Sequence, residues 1–167
     1  MDKETFSRLT TTLQSIKNNL LLSEDIRRLL VLEDPSGSDA TPSVETAKEN
    51  IFLQPIVAIA TDGIYDKSSF ITITLKSSTI LDQKASIRHA IQIVVMTNQN
   101  NYVYAEDKIR NLELVRIIID KIENKTYSLS GPLIFTGVVE SLTNDAVTGF
   151  IVSFIADDGI VKKDVSD

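Results

Sequence analysis

The chain has 167 residues, the usual size of one domain, and its 43% hydrophobic and 24% charged residues argue against wholesale disorder. It contains no cysteine, which excludes disulfides, thiolate chemistry and cysteine-based zinc sites. Its net charge is −6 and its basic residues are scattered, which argues against binding of nucleic-acid phosphates as its main function.

The N-terminus carries no targeting signal that we recognise. Residues 1–5 are charged, and no basic stretch leads into an apolar one. The apolar runs, such as 91–96 and 115–119, are far shorter than a membrane span. We therefore expect an intracellular protein without a membrane partner, in which the sequon at 124–126 has no meaning.

Apolar residues spaced three and four apart predict a first helix with one buried stripe. Ser23 followed by Glu24 and Asp25 predicts the capped start of a short second helix that runs through Leu30. The residues of the first stripe are Phe6, Leu9, Leu13, Ile16 and Leu20.

Turn-forming residues dominate the next stretch and predict a long exposed loop at about 34–50. Since such a segment has little to bury within one subunit, we expect 35–49 to be mobile in the free protein and ordered against a neighbour in an assembly. The candidate assembly residues in this loop are Pro35, Ser36, Gly37, Asp39, Thr41, Pro42 and Val44.

Three strands follow in the prediction. The first covers 51–61, with Pro55 favouring an edge position. The second covers 70–76 and alternates, with Ile71, Ile73 and Leu75 on one face. The third covers 87–97, and a polar turn and a short extended piece at 102–104 come after it.

The next helix is predicted from about Glu106 to Asn124, and its apolar surface is wide enough to imply burial on more than one side. Its expected stripe is Ile109, Leu112, Val115, Ile119 and Ile122, broadened by Leu114, Ile117 and Ile118. We take four residues as the candidate buried or interface set of this helix: Ile109, Arg110, Leu114 and Ile118.

The remaining chain predicts a hairpin of strands 133–140 and 147–156 across a turn at 143–145. The whole order is α-α-β-β-β-α-β-β, which predicts an α+β fold with a mostly antiparallel sheet of about five strands and two main helices on one face. We expect one domain over 1–157 and a polar C-terminal tail over 158–167.

The sequence offers no constellation that we assign to catalysis. His89 is the only histidine and lies in a predicted strand, where a structural role is the commoner one. No two glycines are close enough for a dinucleotide fingerprint, and none precedes a Lys-Ser or Lys-Thr pair. Acidic pairs at Asp62/Asp66 and Asp157/Asp158 are typical of solvated turns. We expect no enzyme, no cofactor and no metal site.

The order of elements, together with several local segments, resembles the tail-terminator (neck, or tail-completion) proteins of tailed bacteriophages. The segments are Pro55-Ile56-Val57-Ala58-Ile59, Ile91-Gln92-Ile93-Val94-Val95, Lys108-Ile109-Arg110, the helical run 114–122, Gly131-Pro132-Leu133-Ile134-Phe135, and 149–154. The resemblance covers about residues 1–157. It departs at Asn111, where proline would be expected after the Ile-Arg pair.

The resemblance implies a structural virion protein, made in the host cytoplasm, that forms a ring of six copies. Such a ring would cap the tail tube and dock onto the head connector, and DNA would pass through it without specific binding. An acidic subunit suits that passage. Two alternatives stay open: a non-enzymatic binding module that uses the 34–50 loop to capture a protein, and, ranked last, an enzyme that uses acidic residues.

Overall fold

The computed structural model describes residues 3–53, 68–81, 86–104, 108–141 and 147–159. Its helices are α1 (Lys3–Leu21), α2 (Glu24–Val31), α3 (Val44–Lys48) and α4 (Arg110–Ile122). Its strands are β1 (Ile51–Phe52), β2 (Ser69–Ile80), β3 (Ser86–Asn98), β4 (Val103–Tyr104), β5 (Lys108–Ile109), β6 (Ile134–Ser141) and β7 (Val147–Gly159). A 3₁₀ turn covers Gln99–Asn101.

Five of these strands form one sheet in the order β1-β2-β3-β7-β6. β1 runs parallel to β2, and every other neighbouring pair is antiparallel. β4 and β5 form a separate small hairpin ahead of α4. The predicted α+β class and five-stranded sheet are confirmed, with α3 and the β4–β5 hairpin as additional elements.

The main core lies between the sheet and the helices. The predicted alternation in β2 and β3 is confirmed, because Ile71, Ile73, Ile91 and Ile93 all lie buried in this core. Residues of α1, α2 and α4 close it from the other side. The largest helical contributors are Ile16, Leu20, Ile26, Leu30, Leu114 and Ile118.

The opposite face of the sheet has a smaller cluster at one end. Phe70, Val94, Met96 and Val147 are buried there, and no residue of the four helices belongs to the cluster. Phe52 meets Phe70 edge to face, with ring centroids 6.3 Å apart. Helices therefore cover one face, and the second face is only partly closed.

Two helix predictions need correction at residues that the hydrophobic pattern assigned to the core. Phe6 is 60% exposed, and Thr5 and Thr12 are buried in its place. Leu112 is 47% exposed. The buried faces of α1 and α4 therefore do not coincide with their apolar stripes. Polar side chains such as Thr12 lie on the buried face, and one apolar residue of each stripe lies outside it.

The predicted start of the third long helix is also wrong. α4 begins at Arg110, since Lys108 and Ile109 are extended and pair with Tyr104 and Val103 as strand β5. Glu106 lies outside the described residues. Lys108 and Ile109, which the sequence pattern assigned to the first turns of the helix, thus belong to the β4–β5 hairpin.

The C-terminal strand is longer than predicted. β7 continues to Gly159, so Asp157 and Asp158 are strand residues, opposite Arg88 and Ile87 of β3, and are neither a turn nor part of a tail. Of the first predicted strand, Ile51–Phe52 is observed as β1. The predictions for Pro55, for Asp62 and Asp66, for the turn at 143–145 and for residues 160–167 lie outside the described residues.

Gly149 of β7 is a site of close backbone approach to β3. A Cβ atom at this position would lie 2.1 Å from the carbonyl oxygen of Val95 and 2.4 Å from the sulfur of Met96. Gly137 lies at a β-bulge in β6 with φ +157°, where a side chain is strained.

Gly149→Ala should lower the free energy of unfolding by about 1–3 kcal/mol, since β3 must move to accept the methyl group. Gly159→Ala in the same strand is the matched control, because its added Cβ would lie 3.6 Å from its nearest neighbour, Ser130 Oγ. Urea denaturation of both variants measures the difference. Equal midpoints would contradict the close approach.

Candidate functional site

Arg110 is fully buried, and its guanidinium lies against main-chain carbonyls. Nη1 donates to the oxygens of Leu29 (2.8 Å) and Leu32 (2.6 Å), and Nη2 donates to that of Glu33. These carbonyls are at the C-terminal end of α2, where a helix leaves oxygens without intrahelical partners and carries partial negative charge. The arginine therefore completes the end of a helix 81 positions away in the chain.

The same side chain also reaches the turn before its own helix. Nε donates to the oxygen of Asn101 at 2.8 Å, and the guanidinium carbon lies 5.6 Å from the centre of the Tyr104 ring. Burial lowers the pKa of Arg110, while nearby Tyr104, Asp34 and Glu33 raise it. An arginine stays charged under these conditions, so every donor needs an acceptor.

Asn111 ties the start of α4 to the sheet. Its side chain is fully buried, accepts a hydrogen bond from Thr97 of β3 and donates one to the oxygen of Thr148 in β7 at 3.0 Å. A proline at position 111 could make neither hydrogen bond, because its side chain has no donor or acceptor.

The other candidate residues of this helix have different positions. Leu114 and Ile118 are fully buried in the chain's own core, and Ile109 is half-buried in β5. The structure therefore brings Arg110, Leu114 and Ile118 together as interior residues of one subunit.

Arg110→Met should lower the free energy of unfolding by about 3 kcal/mol or more, because it leaves buried carbonyls without donors. The matched control is Arg116→Met on the same helix. Arg116 is exposed and makes surface ion pairs with Glu113 and Asp120, so its loss should change stability little. Equal losses in chemical denaturation would contradict the structural role of Arg110.

The 34–50 segment contains a turn and a short helix. Arg28 of α2 donates to the oxygens of Pro35 (2.7 Å), Gly37 (2.6 Å) and Asp39 (2.6 Å). Arg27 donates to the oxygen of Pro42 at 2.9 Å. Two adjacent arginines of α2 thus hold the first half of the segment against that helix.

The second half of the segment reaches the core. Ser43 caps α3 by accepting from the Thr46 amide at 3.1 Å, and Ala47 is fully buried. Asn50 donates to the oxygens of Leu30 (2.7 Å) and Ser69 (3.0 Å). The candidate residues Ser36, Asp39 and Val44 are exposed, whereas Thr41 and Pro42 are half-buried and Pro35 is buried.

A cleft of about 260 Å³ lies beside this segment. Its lining includes Pro35 and Ser36 of the segment together with Tyr104, Lys108 and Arg116. Residues of the predicted loop and residues that precede α4 thus line the same cleft.

His89 lies buried in β3. Its Nδ1 is 2.8 Å from Ser78 Oγ, and Nε2 has no hydrogen-bond partner among the described residues. Burial lowers the pKa of His89 from its ordinary 6.5, Asp158 and Asp157 raise it, and Arg8 lowers it. The net shift is downward, so the imidazole is neutral at pH 7.

Asp157 and Asp158 make separate ion pairs. Asp157 receives two hydrogen bonds from Arg88, at 2.7 and 2.8 Å, and this contact lowers the pKa of Asp157. Asp158 is buried, lies 2.9 Å from Arg8 of α1, and accepts from the Ser130 hydroxyl at 2.8 Å. Both carboxylates are occupied by structural partners.

His89→Gln should flatten the pH dependence of stability. An unfolded histidine takes up a proton near pH 6.5 and the folded one only at lower pH, so the free energy of unfolding falls as pH drops below about 6.5. The glutamine does not titrate and still offers Ser78 a partner. Urea midpoints at about pH 7.5 and 5.5 should differ less than in the parent protein. Equal differences, or failure of a folded variant to assemble, would contradict the structural interpretation.

Exposed aliphatic side chains form the surface feature that sequence reasoning missed. Ile134 (48% exposed) and Val139 (64%) lie on β6, which is an edge strand, and Ile80 (67%) lies at the end of β2. The sequence pattern of these strands predicts that such residues are half-buried. The position of β6 at the edge of the sheet follows only from the strand order.

Within the described ranges, no group of three or more His, Cys, Asp or Glu side chains is placed to hold a metal ion. None of the helices in the described part of the chain is both long and apolar enough to cross a membrane. No protein-family model matches the sequence, and a search of curated proteins found no significant match.

Proposed function

We propose that this chain is a structural subunit that assembles with copies of itself into a ring, and that the ring ends the tail tube of a bacteriophage and joins it to the head connector. The copy number is six. In this role the chain catalyses no reaction, needs no cofactor, and lets DNA pass without binding it specifically.

The observation that carries the assembly part is the uncovered apolar surface on the side of the sheet without helices. Ile134 and Val139 are exposed, and the neighbouring Ile151 and Ile155 of β7 are only half-buried. A chain that stays alone leaves these aliphatic side chains in water, whereas contact with another subunit removes them from it.

The phage assignment rests on the resemblance described for the sequence. Of the elements on which the resemblance rests, α1, β2, β3, α4 and the β6–β7 hairpin occur in this order, and Pro55 of the predicted first strand lies outside the described residues. The same order of elements occurs in proteins of many functions. The phage assignment is therefore tested by the particle that the protein forms.

Size-exclusion chromatography with light scattering, together with negative-stain images, tests this proposal. A six-fold ring is the expected result. A strict monomer at high concentration would contradict it.

Val139→Glu should weaken assembly about tenfold or more, because a carboxylate would enter an apolar contact. The monomer should stay folded, since the side chain is exposed there. Val103→Glu, an equally exposed valine on β4, is the matched control and should leave assembly unchanged. Sedimentation velocity over a concentration series measures both. Equal behaviour of the two variants would remove β6 from the contact.

The cleft favours a second candidate function, a non-enzymatic module that binds a protein segment. The cleft combines the 34–50 segment with Tyr104 and the basic residues Lys108 and Arg116. A monomer whose partner contact is abolished by Tyr104→Ala and Lys108→Glu would support this alternative over the ring.

A further inference from the structure

The cleft beside the 34–50 segment has an apolar part between two helices. Leu29 of α2 and Ile117 of α4 line it, and they are only 4% and 6% exposed. The cleft's volume of about 260 Å³ lies below the range of about 300–1,000 Å³ that is usual for sites of small-molecule ligands and cofactors. The space therefore suits a side chain of a partner protein better than a whole cofactor.

Charged side chains of both signs also line the cleft. Three of them have partners already, since Arg28 donates to three main-chain carbonyls and Arg116 pairs with Glu113. Asp25 and Lys108 are exposed, and the side chain of neither makes an ion pair or a hydrogen bond with another described residue. One carboxylate and one ammonium group of the cleft are thus available to a ligand.

Tyr104 adds a hydrogen-bonding group to the lining. Its ring packs on the guanidinium of Arg110, and its hydroxyl makes no hydrogen bond with a described residue. Burial and then Glu113 raise the pKa of Tyr104, Arg110 and Arg116 lower it, and the net shift is upward. The hydroxyl is therefore protonated at pH 7 and can donate to a carboxylate or a main-chain carbonyl of a ligand.

We propose that this cleft binds a segment of another protein that presents an apolar side chain between an acidic and a basic one. The apolar side chain packs on Leu29 and Ile117. The acidic side chain pairs with Lys108, and the basic one pairs with Asp25. The bound segment is therefore recognised by its charge pattern together with one buried apolar group.

Segments of one charge sign fit the cleft less well. An acidic segment would meet the carboxylates of Asp25 and Glu113, and a basic segment would meet the cations of Lys108 and Arg116. A purely apolar segment would remove Asp25 and Lys108 from water without giving either a partner, which costs free energy. Charge complementarity thus favours a segment that carries both signs.

This inference rests on the second candidate function, because it assigns a ligand to the cleft, and it adds the chemistry of the bound segment. None of the described residues that line the cleft belongs to β6. One subunit can therefore use β6 for ring formation and the cleft for another protein.

Calorimetric titration of the full chain with short peptides tests the charge pattern. The first probe has glutamate, leucine and lysine at its first, third and fifth positions, serine between them and blocked ends, so that the three side chains share one face when the peptide is extended. The second probe has glutamate and lysine exchanged, which allows for either chain direction. At least one probe should bind saturably, and replacing its leucine with serine should weaken binding about tenfold or more.

Substitutions in the cleft test the two ion pairs. Asp25→Asn and Lys108→Gln should each weaken binding of that probe about two- to five-fold. The matched controls are Glu24→Gln, in the same first turn of α2, and Lys125→Gln; both residues are exposed and lie outside the cleft, so affinity should not change. Lys108→Gln should have no further effect on a probe whose glutamate is replaced by glutamine, since both changes remove the same pair.

The outcomes separate this inference from ring formation, which light scattering measures on the same variants. Absence of saturable binding, equal binding of probes with two glutamates or two lysines, or additive losses in the paired substitution would each overturn the inference and leave the ring standing. A chain that binds the probe as proposed but stays a monomer would support the inference without the ring. Loss of the ring in Asp25→Asn or Lys108→Gln would show that another copy of this chain occupies the cleft, and would overturn the inference.

Discussion

The buried guanidinium of Arg110 joins α2 to the start of α4. It bonds to carbonyls at the end of α2 and in the turn before α4. A charge removed from water in this way is tolerated only when its donors are satisfied. The positions of α2 and α4 are therefore interdependent, and Asn111, the next residue, fixes both to the sheet.

This arrangement leaves the rest of the surface free for other contacts. The helices and the 34–50 segment, held by Arg27 and Arg28, are on one side of the sheet. On the other side the apolar cluster is smaller, and the edge strand β6 carries exposed aliphatic residues such as Val139. We propose that another subunit binds at this edge.

The sequence predicted those elements whose period is carried by aliphatic residues, namely α1, β2, β3 and the β6–β7 hairpin. It misplaced the start of α4, because the residues that decide it, Arg110 and Asn111, act through long-range contacts to carbonyls and to Thr97 that no local pattern records. It likewise read Asp158 as a solvated residue, since its partner Arg8 is 150 positions away. The exposed edge residues were missed for the same reason, because the order of strands is not a local property.

The central claim is that copies of this chain assemble into a ring through the exposed aliphatic residues of β6. Cryo-electron microscopy of the assembled protein tests it most directly. The account predicts six copies, each with its helical layer intact around Arg110, and a subunit contact that covers Ile134 and Val139. A closed dimer joined through two β6 strands, or a ring whose subunits touch only through their helices, would contradict it.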